Sequence, residues 1–140
     1  MTTIFASFLD DVIRGNISIL GGTFKMLLVT DRYTPDETGH TRRSDITDEA
    51  IGEGYTAGGL TVELSVISDT QNSTTNVRIS QVDFQNVTIG ARGCVVYCSR
   101  GGAATEDELV CYGDFGSVLD VEVGTLTVGA ADIPFRVKAS

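Results

Sequence analysis

Three cysteines, one histidine and several adjacent acids are the side chains of this 140-residue chain best equipped for chemistry. Cys94 and Cys98 stand four apart, so on a strand they share a face at roughly 13 Å, too far for one metal ion or a disulfide between them. Cys111, on the next apolar run, can fall opposite Cys98, but no fourth ligand follows and His40 is distant. The odd cysteine count argues against a disulfide framework. Three buried free thiols are expected ahead of a Cys98 to Cys111 link.

His40 is the sole conventional general base near neutral pH. Nucleophilic catalysis needs such a base beside a hydroxyl or thiol and an orienting acid, yet His40 lies in Thr38-Gly39-His40-Thr41, a polar, turn-like stretch. An exposed loop histidine is expected. The carboxylate pairs Asp10-Asp11, Asp36-Glu37, Asp48-Glu49 and Glu106-Asp107-Glu108 read as solubilising groups. Glycosidase chemistry would need two acids facing across an aromatic cleft, and the chain has no tryptophan and 7% aromatics. Asp31, Asp36 and Glu37 do not follow EF-hand spacing. Gly52-Glu53-Gly54 and Gly58-Gly59 precede neither a Lys-Ser or Lys-Thr pair nor a helix, so they read as turn glycines and not as a phosphate loop. The residues indicate no enzyme, with no catalytic, cofactor-binding or metal-binding set.

The elements around these residues follow from composition and period. A chain of this length suits one domain, and hydrophobic residues at 41% with charged residues at 21% are near globular averages. The formal charge of -9 opposes nucleic-acid phosphates, so no nucleic acid is expected as a partner. Arg32, Arg42 and Arg43 alternate with Asp31, Asp36, Glu37 and Asp45, which reads as a solvated mixed-charge loop. No membrane is expected either, because no run approaches the roughly 20 apolar residues of a span. Asp10 and Asp11 interrupt the one apolar N-terminal segment, so a secretory leader is not indicated.

Ile4, Phe5, Phe8, Leu9, Val12 and Ile13 recur at helical spacing, predicting a helix over Thr3 to Arg14 that Thr2 or Thr3 caps and Gly15 ends. Beyond residues 1–15 the signal changes to β. Ile17 to Leu20 reads as a strand turning at Gly21-Gly22 into Phe24 to Thr30, which is apolar from Met26 to Val29 as a strand buried on both faces would be. Asp31 to Glu53 lacks either period and reads as a long ordered loop, at about 31–54, with a helical turn near Ile46 to Ile51. Leu60, Val62, Leu64 and Val66 alternate with polar residues as one half-buried strand, and Ser68 to Asn76 forms a polar hairpin loop.

Strands are then expected over Val77 to Ser80, Val82 to Ile89, Ala91 to Ser99, Glu108 to Phe115, Val121 to Val128 and Ile133 to Ala139. Cys94 to Cys98 should pair with Leu109 to Tyr112 across the loop Ser99 to Asp107. The whole predicts an all-β, antiparallel β-sandwich or barrel-like domain over 16–140 with a short N-terminal helix.

Several of these segments, taken in order, carry a resemblance. FKMLLVTDRYTPDETGH (Phe24 to His40), GEGYTAGGLTVEL (Gly52 to Leu64), TIGARGCVVY (Thr88 to Tyr97), LVCYGDFG (Leu109 to Gly116) and TLTVGAADIPFRV (Thr125 to Val137) together resemble small structural proteins encoded by tailed bacteriophages. The three cysteines and the length of the loop Ser68 to Asn76 depart from that pattern. The resemblance implies a virion structural subunit assembled in the host cytoplasm, a homo-oligomer in the particle, with other virion proteins as partners. Those partners would be the major capsid protein or tail and connector proteins. A capsid-surface decoration subunit is the first expectation, a tail, collar or fibre-adaptor subunit the second, and a host-surface binding module a more distant third.

The expected contact residues are the apolar stripe Ile4, Phe5, Phe8, Leu9 and Val12 and the loop anchors Tyr33, Pro35, Ile46, Ile51 and Tyr55. For the stripe, closing the domain's own core is expected ahead of docking on a neighbouring subunit.

Overall fold

The apolar runs resolve into antiparallel strands in a computed structural model, which describes residues 2–69, 71, 74–129 and 136–138. In chain order these are β1 (Thr2–Ile4), helix α1 (Ala6–Ile13), β2 (Phe24–Val29), β3 (Leu60–Val62), β4 (Leu64–Asp69), β5 (Thr74–Ile79), β6 (Val82–Cys98), β7 (Leu109–Val128) and β8 (Arg136–Lys138). One sheet has the order β1-β7-β6-β2-β3 and a smaller one the order β4-β5-β8. The fold is all-β and sandwich-like with a short N-terminal helix, as expected, although neither sheet closes.

β2 is the deepest element, and its composition explains why. Met26, Leu27, Leu28 and Val29 are all buried, so both faces of the strand are covered. Phe24, Met26 and Leu28 join Cys94, Val96 and Cys98 of β6 in the larger core, while Leu27 and Val29 join Val95, Tyr97, Leu109 and Tyr112 in a second core on the opposite face. β2 pairs with β6 with Leu28 opposite Cys94 and Met26 opposite Val96. Val77 and Ile79 of the smaller sheet complete the larger core.

The central hairpin is longer than its sequence suggests. Val82 to Ile89 and Ala91 to Ser99 were expected as two strands, but Val82–Cys98 is continuous, and Leu109–Val128 likewise merges Glu108 to Phe115 with Val121 to Val128. Gly90, at the expected break, pairs regularly with Asp120, and the nearest register shift lies between Ala91 and Gly93. Gly93 admits no larger residue, because an added carbon there would lie 2.5 Å from the Gly113 carbonyl oxygen. The predicted pairing of Cys94–Cys98 with Leu109–Tyr112 is present, with Val95 opposite Tyr112 and Val96 opposite Cys111. Cys98 therefore does not face Cys111, and all three cysteines are buried and outside any disulfide.

Other expectations are corrected. The helix does not begin at Thr3: Thr2–Ile4 pairs with Cys111–Gly113 of β7 instead, a use that suits β-branched Thr-Thr-Ile, and the helix starts at Ala6 without a side-chain cap. Ile17 to Leu20 is not a strand. Ile17 is buried from irregular chain, and Gly22 N–H donates to the Ser18 carbonyl in a turn. The alternating run Leu60 to Val66 is divided between two sheets at Glu63, whose N–H bonds the Ser80 hydroxyl and whose carbonyl accepts from Ser80 N–H. Ser68 and Asp69 pair with Thr75 and Thr74, which shortens the predicted polar loop. The helical turn expected near Ile46 to Ile51 lies earlier, as a 3-10 turn at Arg43–Asp45. Of Ile133 to Ala139, only residues 136–138 are described.

Candidate functional site

The segment from Asp31 to Gly59 is ordered by pairing at both ends of its return path. Thr30 N–H donates to the Asp48 carbonyl and Ala50 N–H to the Leu28 carbonyl, so residues 48–50 run beside the end of β2. Near its start, Asp45 turns back on the chain, its carboxylate accepting from Thr41 N–H at 2.9 Å and Arg42 N–H at 3.0 Å. These two donors hold the Asp45 carboxyl below its ordinary value.

Glu49 is the hub of the return path. Its Oε2 accepts from the Tyr55 hydroxyl at 2.6 Å and from Gly58 N–H at 2.7 Å, and the same Tyr55 oxygen accepts from Leu28 N–H at 3.0 Å. Tyr97, reaching up from β6, donates to the Gly58 carbonyl at 2.5 Å. Burial raises the hydroxyl pKa of Tyr55, and the adjacent Glu49 raises it further. Tyr97 is pushed up to about 12, chiefly by burial and against the pull of Arg43. Gly59 completes the lock: its φ is +79°, and an added carbon would lie 1.7 Å from the Met26 carbonyl oxygen. The turn glycines inferred from Gly52 to Gly59 are thus what lets this turn lie on β2.

Ion pairs brace the other side. Arg43 Nε donates to Asp107 Oδ2 at 2.7 Å and its guanidinium carbon lies 5.2 Å from the centre of the Tyr97 ring. Asp107 Oδ1 also accepts from Arg100 N–H, and Arg100 grips Glu108 through both carboxylate oxygens, at 2.8 and 2.6 Å. Arg100 further donates to the Asn16 carbonyl. Asp107 and Glu108 are buried, so they are not the solubilising acids expected from their sequence, and Arg43 is not simply solvated. Burial pushes the Glu108 carboxyl up, but the Arg100 bonds outweigh it and the group lies below its ordinary value.

His40 stacks on Tyr33 with centroids 5.6 Å apart. Its Nδ1 lies 3.2 Å from Asp36 N–H and 3.0 Å from the Tyr33 hydroxyl. A main-chain N–H can only donate, so Nδ1 is the acceptor, the hydroxyl donates to it and Nε2 carries the hydrogen. The ring is half-buried, not exposed as expected. Tyr33 packs edge-on against Tyr112, and with Pro35, Arg92 and Asp114 these rings border a shallow depression of about 260 Å³. Among the described residues no group of three His, Cys, Asp or Glu side chains is placed to hold a metal ion.

The expected contact residues divide sharply. Phe5, Phe8 and Tyr33 are buried within this chain, and Ile4, Val12, Ile46 and Tyr55 pack against its cores. Pro35 is half-buried at the depression. Leu9 is 41% exposed and Ile51 is 94% exposed. Sequence reasoning missed Leu20, Val118, Leu119 and Val123, all exposed. The alternation Leu119 to Val123, with Asp120 and Glu122 between apolar residues, was the signal for a half-exposed strand there.

Comparison with known proteins finds no match to this chain among family models, curated proteins or solved structures.

Proposed function

We propose that the chain is a structural subunit of a tailed-bacteriophage particle, in first place a capsid-surface decoration subunit. The observation that carries this is Ile51: a β-branched side chain 94% exposed between Ala50, which bonds β2, and the turn clamped by Glu49, Tyr55, Gly58 and Tyr97. An exposed apolar side chain on a braced backbone pre-pays the ordering entropy of a protein contact. Of the residues that form the clamp, Tyr55, Gly58 and Tyr97 belong to the motifs of the sequence likeness, while Glu49 and Ile51 lie between those motifs. Many copies, each with a modest contact, gain strength by multivalency.

The first test is stoichiometry: in purified particles the chain should approach the copy number of the major capsid protein. A low copy number with ring symmetry would instead favour the tail, collar or fibre-adaptor reading, and absence from particles would end both. The second test is Ile51→Asp, which should change stability by no more than about 0.5 kcal/mol in urea unfolding while abolishing incorporation. Undiminished incorporation would remove Ile51 from the contact.

A further inference from the structure

Two of the most exposed apolar side chains are tied to one residue. Ile51 is 94% and Val123 81% exposed. Thr88 N–H donates to the carbonyl of Glu53, two residues beyond Ile51, and the Thr88 hydroxyl accepts from Val123 N–H at 3.0 Å. Val123 is held at φ +42°, a strained conformation for a β-branched residue. Exposed acids rim the pair: Glu53, Asp120 and Glu122. None of the three enters an ion pair among the described residues.

The smaller sheet carries the opposite charge. Its three strands hold Arg78, Arg136 and Lys138 against Asp69 alone, a formal +2, while the other seven basic and eighteen acidic residues of the chain amount to -11. Val77 and Ile79 are buried in the larger core, so Arg78 between them lies on the outer face of β5. There it stands opposite Ser65 and diagonal to Ile67, which is 41% exposed on the same face. Arg78 is itself exposed and, among the described residues, enters no ion pair.

Charge decides how two such surfaces are used. Joining like with like, sheet to sheet or patch to patch, sets equal charges against each other, whereas the sheet of one copy and the acid-rimmed patch of another attract. We propose that copies of this chain associate head to tail. The outer face of β4 and β5 around Ile67 and Arg78 docks on Ile51 and Val123 of the next copy, with Arg78 set among Glu53, Asp120 and Glu122. Because the two surfaces differ, the contact is heterologous, and it propagates into a ring or a row of subunits where a two-fold contact would stop at a dimer. The overall charge of -9 keeps each contact weak and confines it to high local concentration. This assignment concerns contacts between copies and does not rest on the virion reading.

The test is sedimentation velocity of the full chain over rising concentration, where the native chain should sediment progressively faster and pass beyond the dimer. Arg78→Glu and Glu122→Arg should each weaken this association roughly tenfold, with an unchanged urea midpoint because both side chains are exposed. Mixing the two variants should restore it, since the chain that keeps Arg78 then meets the chain that keeps Glu122. In the native chain, amide hydrogen exchange should slow with concentration both at residues 64–68 and at residues 120–123. A chain that stays monomeric, a plateau at a dimer, undiminished association of either variant, no recovery on mixing, or protection confined to one of the two surfaces would each overturn the proposal. The exchange map of the native chain decides the matter even if a variant folds poorly.

Discussion

Glu49 takes hydrogen bonds from Tyr55 and Gly58, so a single carboxylate closes a turn whose two glycines, Gly58 and Gly59, have φ values that other residues rarely adopt. Removing the Tyr55 oxygen would leave Leu28 N–H without its acceptor and Glu49 without one donor. Tyr55→Phe is therefore expected to cost about 1–3 kcal/mol, the range for orphaning buried polar groups. Gly59→Ala should cost more, about 4 kcal/mol or above, because the added carbon collides with the main-chain carbonyl of Met26 in β2 and the backbone φ is also unfavourable. Urea unfolding of the two variants checks both the size and the order. Equal, small effects would mean that the turn is not clamped.

At the scale of elements, the N-terminal segment belongs to the domain and not to its periphery. β1 pairs with β7, Phe8 lies in the larger core and Phe5 in the second. Phe8→Ala should cost about 3–5 kcal/mol, and deleting residues 1–14 should unfold the chain, with loss of the β signal in circular dichroism. A soluble, folded truncation would show that the segment is an appendage. The sequence made Phe8 and Val12 legible, because packing at helical spacing leaves a periodic record, whereas Phe5 lies just before the helix and enters the other core. It did not reveal that Thr2–Ile4 extends a sheet edge, since that depends on β7, more than a hundred residues away. For the same reason β2 was readable from its unbroken apolar run, whereas the switch between sheets at Glu63 was not: Leu60 to Val66 keeps one period while its hydrogen-bond partners change from β2 to β5. In the candidate site, the exposed Ile51 could be suspected from sequence, but the burial of Asp107 and Glu108 required Arg43 and Arg100 to be brought to them by the fold.

For the molecule as a whole, pH acts through two opposed sets of acids. The unpaired ones make up most of the -9 charge, and their mutual repulsion relaxes as pH falls toward the isoelectric point near 4.4. The paired ones act in the other direction. Asp45 is held low by two main-chain donors, Asp114 by Arg92 and then Gly116 N–H, and Glu108 by Arg100 in spite of its burial. A carboxyl whose pKa is lower folded than unfolded binds fewer protons in the native state, so its stabilisation is complete above the unfolded value and is lost as pH falls through the folded one. The urea midpoint should hence vary little from about pH 8 to about pH 5 and drop steeply below about pH 4, where the pairs are protonated. Tyrosine sets the opposite limit. Tyr97, raised to about 12 by burial, keeps its proton in the folded state after an unfolded tyrosine near 10 has begun to lose it, so its stabilisation disappears as pH rises between those values. Asp45→Asn should lower the midpoint near pH 7 and make its fall on the acid side shallower, since one of the protonating groups is gone. Tyr97→Phe should lower the neutral midpoint and flatten the alkaline side instead. If Asp45→Asn left the acid limb as steep as before, the Asp45 turn would not be among the contacts that acid breaks.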